Sequence, residues 1–310
     1  MKEKRKMRKE EKFRYDGRKG WYALRPNEKM LGIGFDKKPA DEIIEVLLDA
    51  DWIFDDEEEL WLAPHTDDRL VMAGILAGMA PRFIPESGET EAGVHYLKAY
   101  IPTRFEEGLL RFEADNTRRI LGIKAGEPLP LFVAAGQMLD VIRRLVLGDG
   151  DNPQEGTNEE ALEVDLLAVP NAKTGINRSM ARMAAYMISI AAHDPERYGK
   201  MKLVDASATL RRMRDIRKAA MSRGNRPTLE EHLETIAFTG HDLIGQDAVL
   251  VLLDDITTTG TIMKACTEIL LKEGIREERI IRFAYARTEV PRRYQRNRRR
   301  RGSAAGGKRE

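Results

Sequence analysis

The sequence predicts an α/β protein whose main domain, residues 161–290, is built around a parallel β-sheet. Two observations carry this prediction. Apolar strands and amphipathic helices alternate from residue 161 onward, and the strands are apolar along their length, as in "DAVLVLLDD" at 247–255. Strands that are covered by helices on both faces have this uniform composition. A small α+β module before the domain and a basic segment at each end complete the predicted organisation.

The charge of the chain is concentrated at its two ends. The 310 residues carry a net charge of only +1, but residues 1–20 carry +6 and residues 291–310 carry +8, which leaves −13 for the rest. Basic segments suit polyanions such as single-stranded DNA, and they are equally typical of disordered, solubilising tails. The candidates for nucleic-acid contact are Arg298, Arg299, Arg300 and Arg301.

Composition also excludes several classes of protein. Cys266 is the only cysteine, so one chain cannot build a disulfide framework or a structural zinc site. No window approaches 18 uninterrupted apolar residues, and the basic N-terminus lacks the apolar core of a signal peptide. We therefore expect a cytoplasmic protein without membrane contact, in which Cys266 is a packed thiol.

Residues 21–85 predict a compact β-α-β-β-α module. "MLGIGF" alternates like a strand, Asp41 lies in the first turn of an amphipathic helix, and "DWIFD" and "LWLAP" flank an acidic turn as in a β-hairpin. Thr66 is placed to cap a second helix. The module weakly resembles the HARP-type modules of DNA-annealing proteins, on the basis of Trp52, Asp55, Trp61 and Pro64.

Residues 86–160 are predicted to connect the module to the main domain. A helix is expected at 131–147, and the polar, turn-rich residues 148–160 read as a linker or a long surface loop.

The main domain is predicted as alternating strands and helices. In chain order these are a strand at 163–170, a polar loop at 171–179, a helix at 180–192, a strand at 200–205, a charged, mostly helical or mobile excursion at 208–240, a strand at 247–255, a helix at 261–273 and a strand at 279–287. Ligands of such sheets bind at the carboxyl ends of the strands.

The third of these strands ends in two acids and a hydroxyl-rich turn. Asp254 and Asp255 are expected to emerge at the sheet edge, where two carboxylates can accept hydrogen bonds from adjacent hydroxyls of a polyol. The following residues lead into a helix whose first N–H groups, together with threonine hydroxyls, fit a phosphate. These are Thr257, Thr258, Thr259, Gly260 and Thr261. A diol site beside a phosphate site describes a ribose 5-phosphate.

This stretch, "VLVLLDDITTTGT", resembles the phosphoribosyl pyrophosphate (PRPP) motif of type I phosphoribosyltransferases. The resemblance implies that Asp254 and Asp255 bind the ribose hydroxyls and that residues 258–261 bind the 5-phosphate. It also implies a diphosphate loop after the first core strand, where Lys173 and Arg178 are the candidate cations. A mobile lid is implied between the second and third strands, with Arg212, Arg214 and Arg217 as candidate lid residues.

Within that family the sequence is most similar to ComF-type competence proteins over residues 165–290. The shared pattern is Val169-Pro170, Gly175-Ile176-Asn177-Arg178, Arg212-Met213-Arg214 and Asp254 to Gly260. The four-cysteine zinc finger that usually precedes this pattern is absent, since the chain has one cysteine.

The resemblance implies a transferase of the glycosyltransferase class. Mg²⁺ would be chelated by the substrate rather than by a protein cluster, and Asp254, Asp255, Lys173 and Arg178 would form the catalytic set. The acceptor and the oligomeric state stay open, although Phe238 or Tyr285 could stack on a base. The alternative is a non-catalytic factor that binds PRPP or nucleotides and DNA in DNA uptake, recombination or defence. His232, within the lid, is expected to be solvated.

Overall fold

The computed structural model describes residues 11–14, 21–25, 29–35, 37–78, 87–102, 111–148, 161–217 and 226–289. The strands are β1 (Glu11–Arg14), β2 (Trp21–Arg25), β3 (Met30–Gly34), β4 (Ile53–Asp55), β5 (Leu60–Pro64), β6 (Gly88–Glu89), β7 (His95–Tyr100), β8 (Leu162–Ala168), β9 (Met201–Asp205), β10 (Leu210–Arg212), β11 (Ile236–Phe238), β12 (Val249–Thr257) and β13 (Ile280–Thr288). The helices are α1 (Asp41–Asp49), α2 (Asp67–Leu76), α3 (Arg111–Ala125), α4 (Pro128–Leu147), α5 (Arg178–His193), α6 (Pro195–Tyr198), α7 (Leu229–Thr235) and α8 (Thr261–Lys272).

The N-terminal module agrees with its predicted order, β3-α1-β4-β5-α2. Thr66 caps α2, since its hydroxyl accepts from the N–H of Arg69 at 3.2 Å. The sheet is larger than predicted, with the order β1-β2-β3-β5-β4, because β1 and β2 add two antiparallel strands. β1 lies inside the segment that was predicted only as a basic arm, where alternating charges obscure the strand pattern. Trp52 and Trp61 are buried in the core.

The central sheet is largely parallel, as expected for the α/β class. Its order is β6-β7-β13-β12-β8-β9, and only β6 runs antiparallel to its neighbour. β7 pairs with β13 in parallel, although its residues were predicted to belong to the connecting region. The alternating, partly exposed side chains of this strand are typical of one that is not buried on both faces, so the composition rule for central strands does not detect it.

Helices cover both faces of the central sheet. Val251 and Leu253 of β12 join one apolar core with α4 and α5, whereas Leu250 and Leu252 join a second core with α8. β12 is therefore buried on both faces, as its uniform composition predicts. Cys266 packs in the second core, where burial raises the pKa of its thiol to about 12.

The segment predicted as a charged excursion contains regular structure. β10 and β11 form a two-stranded antiparallel sheet, and α7 precedes β11 directly, with Thr228 and Glu231 forming its capping box. Residues 218–225 of this segment lie outside the described residues.

The basic ends are only partly described. Residues 1–10, 15–20 and 290–310 lie outside the described residues, and with them the predicted nucleic-acid contacts of Arg298, Arg299, Arg300 and Arg301. Within the described ranges, no helix combines the length and the apolar character needed to cross a membrane.

Candidate ligand site at the carboxyl edge of the central sheet

The topology of the central sheet places a switch point between β8 and β12. The chain leaves β8 through α5 and returns in β9 on one side, whereas it leaves β12 through α8 and returns in β13 on the other side. The loops after β8 and β12 therefore diverge at the carboxyl edge. In open parallel sheets such a switch point is where ligands bind.

The two acids of the motif lie within β12, which continues beyond them to Thr257. β12 keeps its register with β13 as far as Thr257, which pairs with Arg287, whereas β8 ends at Ala168 opposite Leu253. The prediction that the chain turns toward a helix at Thr257 is thus corrected, because β13 continues to pair with the strand. Asp254 and Asp255 lie on the part of β12 that extends beyond β8.

Asp254 is more enclosed than the sequence suggested, with only 8% of its surface exposed. Its carboxylate accepts a 2.9 Å hydrogen bond from the N–H of Asp255. Burial, followed by the negative charge of Asp255, raises the pKa of Asp254 well above its ordinary value. Burial also raises the pKa of the half-buried Asp255, although the positive charge of Lys124 opposes this shift. The pair is a concentrated, poorly solvated set of acceptors.

The turn after β12 combines exposed hydroxyls with an uncapped helix start. The hydroxyl oxygens of Thr259 and Thr261 are 2.8 Å apart, and Thr258 and Thr259 are exposed. Gly260, at the N-cap of α8, has no side chain to accept from the first helical N–H groups. Donors for an anion are therefore present at this turn. Thr257 contributes less than predicted, since it is 3% exposed.

The fold requires a glycine at position 260 for a reason that the sequence did not reveal. Its φ of +72° lies in the left-handed region, and a Cβ added there would be 3.2 Å from the Cβ of Ala92 and 3.4 Å from Cγ2 of Val94. The missing side chain therefore makes room for the turn between β6 and β7.

The loop after β8 is held at both of its ends. The buried amide of Asn177 donates to the carbonyl of Val169 at 3.1 Å and caps α5 at Met180. Gly175 and Arg212 exchange two backbone hydrogen bonds, of 2.8 and 3.0 Å. Arg178 lies exposed at the first position of α5. Both predicted cations of this loop, Lys173 and Arg178, are thus exposed at the carboxyl edge.

Arg212 differs from a lid cation, because it is only 1% exposed. Its guanidinium donates to the carbonyl of Asn171 at 3.0 Å, to the hydroxyl of Thr235 at 2.5 Å and to Nδ1 of His232 at 3.2 Å. Among the predicted lid arginines it therefore serves as an internal brace between the loop after β8 and α7. The sequence "RRMR" alone cannot show that its second arginine, Arg212, points into the protein, because this depends on the alternation of side chains along β10.

His232 is also buried, which corrects the expectation that it is solvated. Burial, and then the charge of Arg212, lower the pKa of His232 to about 4. Its Nδ1 can accept from Arg212 only while the ring is neutral.

Three further cations of the site are paired with acids that were not predicted as partners. Arg214 pairs with Glu234 at 3.0 Å, and Arg217 lies 3.9 Å from Glu231. Lys173 pairs with Asp215 at 2.5 Å. The acidic residues that lie among the cations of 211–217 and in α7 were a sequence feature from which these ion pairs could have been predicted.

The two aromatic candidates differ in their surroundings. Tyr285 is fully buried and its hydroxyl donates to Gln137 at 2.8 Å, so it cannot stack on a base. Phe238 is half-buried and packs edge-on against His241 at 4.5 Å. The described residues do not include a group of three or more His, Cys, Asp or Glu side chains that could hold a metal ion.

A cavity of about 710 Å³ lies elsewhere, between α1 and α5, and none of its lining residues belongs to the loops after β8 or β12. In the comparisons with known proteins, no family model and no curated protein sequence matches this chain.

Proposed function

We propose that the protein is a PRPP-dependent phosphoribosyltransferase with a type I phosphoribosyltransferase core, which transfers ribose 5-phosphate to a nitrogen acceptor. One observation carries the proposal. The adjacent carboxyls of Asp254 and Asp255 and the uncapped start of α8 belong to one strand–turn–helix unit, and this unit ends the strand next to β8, whose own following loop carries Lys173, at the switch point of the sheet.

The ribose is assigned to the two acids. Each carboxylate accepts hydrogen bonds, and the vicinal hydroxyls of a ribose supply the donors. Because burial disfavours their charged form, donors from a bound sugar would stabilise these carboxylates more than they would stabilise acids in water.

The 5-phosphate is assigned to the turn after β12. Thr258, Thr259 and Thr261 supply hydroxyls, and the first N–H groups of α8 supply backbone donors with the favourable dipole of a helix start. The acids and the turn therefore bind different parts of one ligand, which avoids repulsion between the carboxylates and the phosphate.

The diphosphate is assigned to Lys173 and Arg178, with Arg214 and Arg217 as exposed cations nearby on the segment that pairs with this loop. During transfer the acceptor nitrogen forms a bond to C1 while the C1–O bond breaks, and the electron pair leaves with the diphosphate. Fixed positive groups stabilise that developing charge. When bound through substrate oxygens, Mg²⁺ would neutralise further diphosphate charge.

A second candidate is a factor that binds PRPP or nucleotides and DNA without turnover. It is favoured by the net charge of +8 on residues 291–310, which suits a polyanion. The acidic motif would then bind a ligand that controls DNA binding.

The test is calorimetric titration of PRPP with Mg²⁺, followed by measurement of diphosphate release with a panel of nitrogen acceptors. We expect saturable PRPP binding that weakens at least tenfold in an Asp254→Asn, Asp255→Asn double variant. Asp247→Asn is the matched control, because this exposed acid lies at the opposite, amino end of β12. If the wild-type protein binds neither PRPP nor ribose 5-phosphate, the proposal is wrong. Binding without diphosphate release for any acceptor favours the second candidate.

A further inference from the structure

Asp215 is surrounded by three donors of the loop after β8. The ammonium of Lys173 lies 2.5 Å from Oδ2, and the backbone N–H and the hydroxyl of Thr174 each donate to Oδ1 at 2.8 Å. The carboxylate is therefore bound as a ligand would be bound, although it belongs to the facing segment of the same chain.

The three donors form an anion site by their chemistry. An ammonium, a backbone N–H and a hydroxyl that converge on two oxygens can bind a phosphoryl group as well as a carboxylate. The hydrogen bond from Lys173, followed by those from Thr174, holds the pKa of Asp215 far below its ordinary value. Asp215 is thus an anion throughout the physiological pH range.

We propose that Asp215 is an internal competitor that occupies the phosphoryl site of this loop until a diphosphate-bearing ligand displaces it. The inference rests on the proposed function, because that function assigns Lys173 and its loop to the diphosphate. It adds a regulatory contact within the site, through which binding of the ligand exchanges one anion for another.

The displacement requires little rearrangement of the backbone. On one side of Asp215, Arg212 exchanges two backbone hydrogen bonds with Gly175, and on the other side the N–H of Ile216 donates to the carbonyl of Ala172 at 3.0 Å. These bonds hold the segment against the loop without using the side chain of Asp215, which is half exposed and would leave its three donors by rotating toward solvent. The released carboxylate would be hydrated, so its displacement leaves no buried charge.

The strength of the competition sets the expected effect. Asp215 lowers the affinity for diphosphate in two ways, because it forms an exposed ion pair with the donor Lys173 and because its negative charge lies beside the bound diphosphate. Removal of Asp215 is therefore expected to increase the affinity for diphosphate by roughly tenfold.

The experiment is calorimetric titration of inorganic diphosphate into the full-length protein at low ionic strength. We expect Asp215→Ala to lower the Kd by roughly tenfold. Asp215→Asn, which keeps an acceptor for Thr174 but loses the charge, is expected to lower it by a smaller factor and serves if the alanine variant fails to fold. Asp247→Asn, which removes one exposed negative charge at the amino end of β12, is expected to change the Kd by less than twofold.

A double-mutant comparison identifies the site. In a Lys173→Ala background the gain from Asp215→Ala is expected to shrink, since the shared donor is gone. If both Asp215 variants bind diphosphate no better than the wild type, Asp215 is only a brace for the loop and the inference is wrong, even where PRPP still binds. If the Asp215 variants bind diphosphate more tightly but PRPP does not bind, the proposed function is overturned and the inference about Asp215 stands. Failure of every variant to bind diphosphate overturns the inference, and it overturns the proposed function as well if neither PRPP nor ribose 5-phosphate binds.

Discussion

The N–H of Asp255 donates to the carboxylate of Asp254 across 2.9 Å, so the two acids of β12 are joined by a local hydrogen bond. Burial raises the pKa of both carboxyls, and the charge of Asp255 raises that of Asp254 further. Two carboxyls that are held together in a poorly solvated place are a cost to the fold. This cost is consistent with the ligand role that we propose for the two acids.

The first prediction is that Asp254→Asn stabilises the protein at neutral pH. A carboxyl whose pKa is higher in the folded than in the unfolded state holds more protons when folded, so its contribution to stability falls as pH rises above about 4. At pH 7.5 we expect the variant to have a higher melting temperature than the wild type, by roughly 2–4 °C for each kcal/mol gained in unfolding free energy. The difference is expected to shrink toward pH 4.

Asp255→Asn is the matched comparison for this measurement. Its effect at pH 7.5 is expected to be smaller, because the charge of Lys124 already favours the ionised form of Asp255. A lower melting temperature of Asp254→Asn at pH 7.5 would mean that its carboxylate has stabilising partners, and would contradict the reasoning.

The second prediction concerns the buried pair of His232 and Arg212. A histidine whose pKa falls to about 4 in the folded state contributes stability that is present above about 6.5 and is lost as pH falls toward 4. The loss amounts to at most about 3 kcal/mol, because protonation places a charge in a buried position and then beside the guanidinium of Arg212. Chemical denaturation at pH 7, 5.5 and 4.5 measures this slope.

His232→Gln is expected to remove most of that slope, since its amide oxygen can still accept from Arg212 but does not titrate. His241→Gln, at an exposed histidine, is the control and should keep the wild-type slope. Equal slopes in the wild type and in His232→Gln would show that other groups set the acid sensitivity.

Much of the fold was accessible from the sequence because burial leaves a compositional trace. β12 is apolar on both faces and is buried on both, and Thr66 is followed by an acidic first turn and caps α2. The acid pair and the hydroxyl-rich turn were likewise recognisable, since their residue types are unusual for a strand end whose only role is structural.

The features that could not be predicted from the sequence depend on contacts between residues that are distant in the chain. Arg212 is buried because it lies on the inward face of β10 opposite His232 and Thr235, and no local pattern distinguishes it from the exposed Arg214. The three donors on Asp215 come from a loop about 40 residues earlier, so the competition that we infer could not be read from charge alone.

The third prediction tests the basic C-terminal segment. Deletion of residues 291–310 removes nine Lys or Arg residues and one acid. If this segment binds single-stranded DNA, the deletion is expected to weaken binding and to flatten its salt dependence, by about 0.7 in the slope of log K against log salt for each lost phosphate contact. Fluorescence anisotropy from 50 to 300 mM salt measures both quantities. Unchanged affinity and slope would show that these residues do not contact DNA.

The fourth prediction separates two roles of Gly260, namely backbone strain and close packing. Gly260→Ala places an L-residue at a φ of +72° and a Cβ within 3.4 Å of Ala92 and Val94, whereas Gly274→Ala imposes a similar strain, at +84°, with no atom within 4 Å. Left-handed strain costs roughly 1–2 kcal/mol in each variant. Only Gly260→Ala also overpacks the turn between β6 and β7. It should therefore lose about 1 kcal/mol more unfolding free energy than Gly274→Ala. Chemical denaturation of both variants measures this difference.

If the two losses are equal, the β6–β7 turn yields to the new methyl group and packing does not explain the glycine. If Gly260→Ala also weakens PRPP binding while Gly274→Ala does not, the same contact sets the position of the turn that we assign to the 5-phosphate.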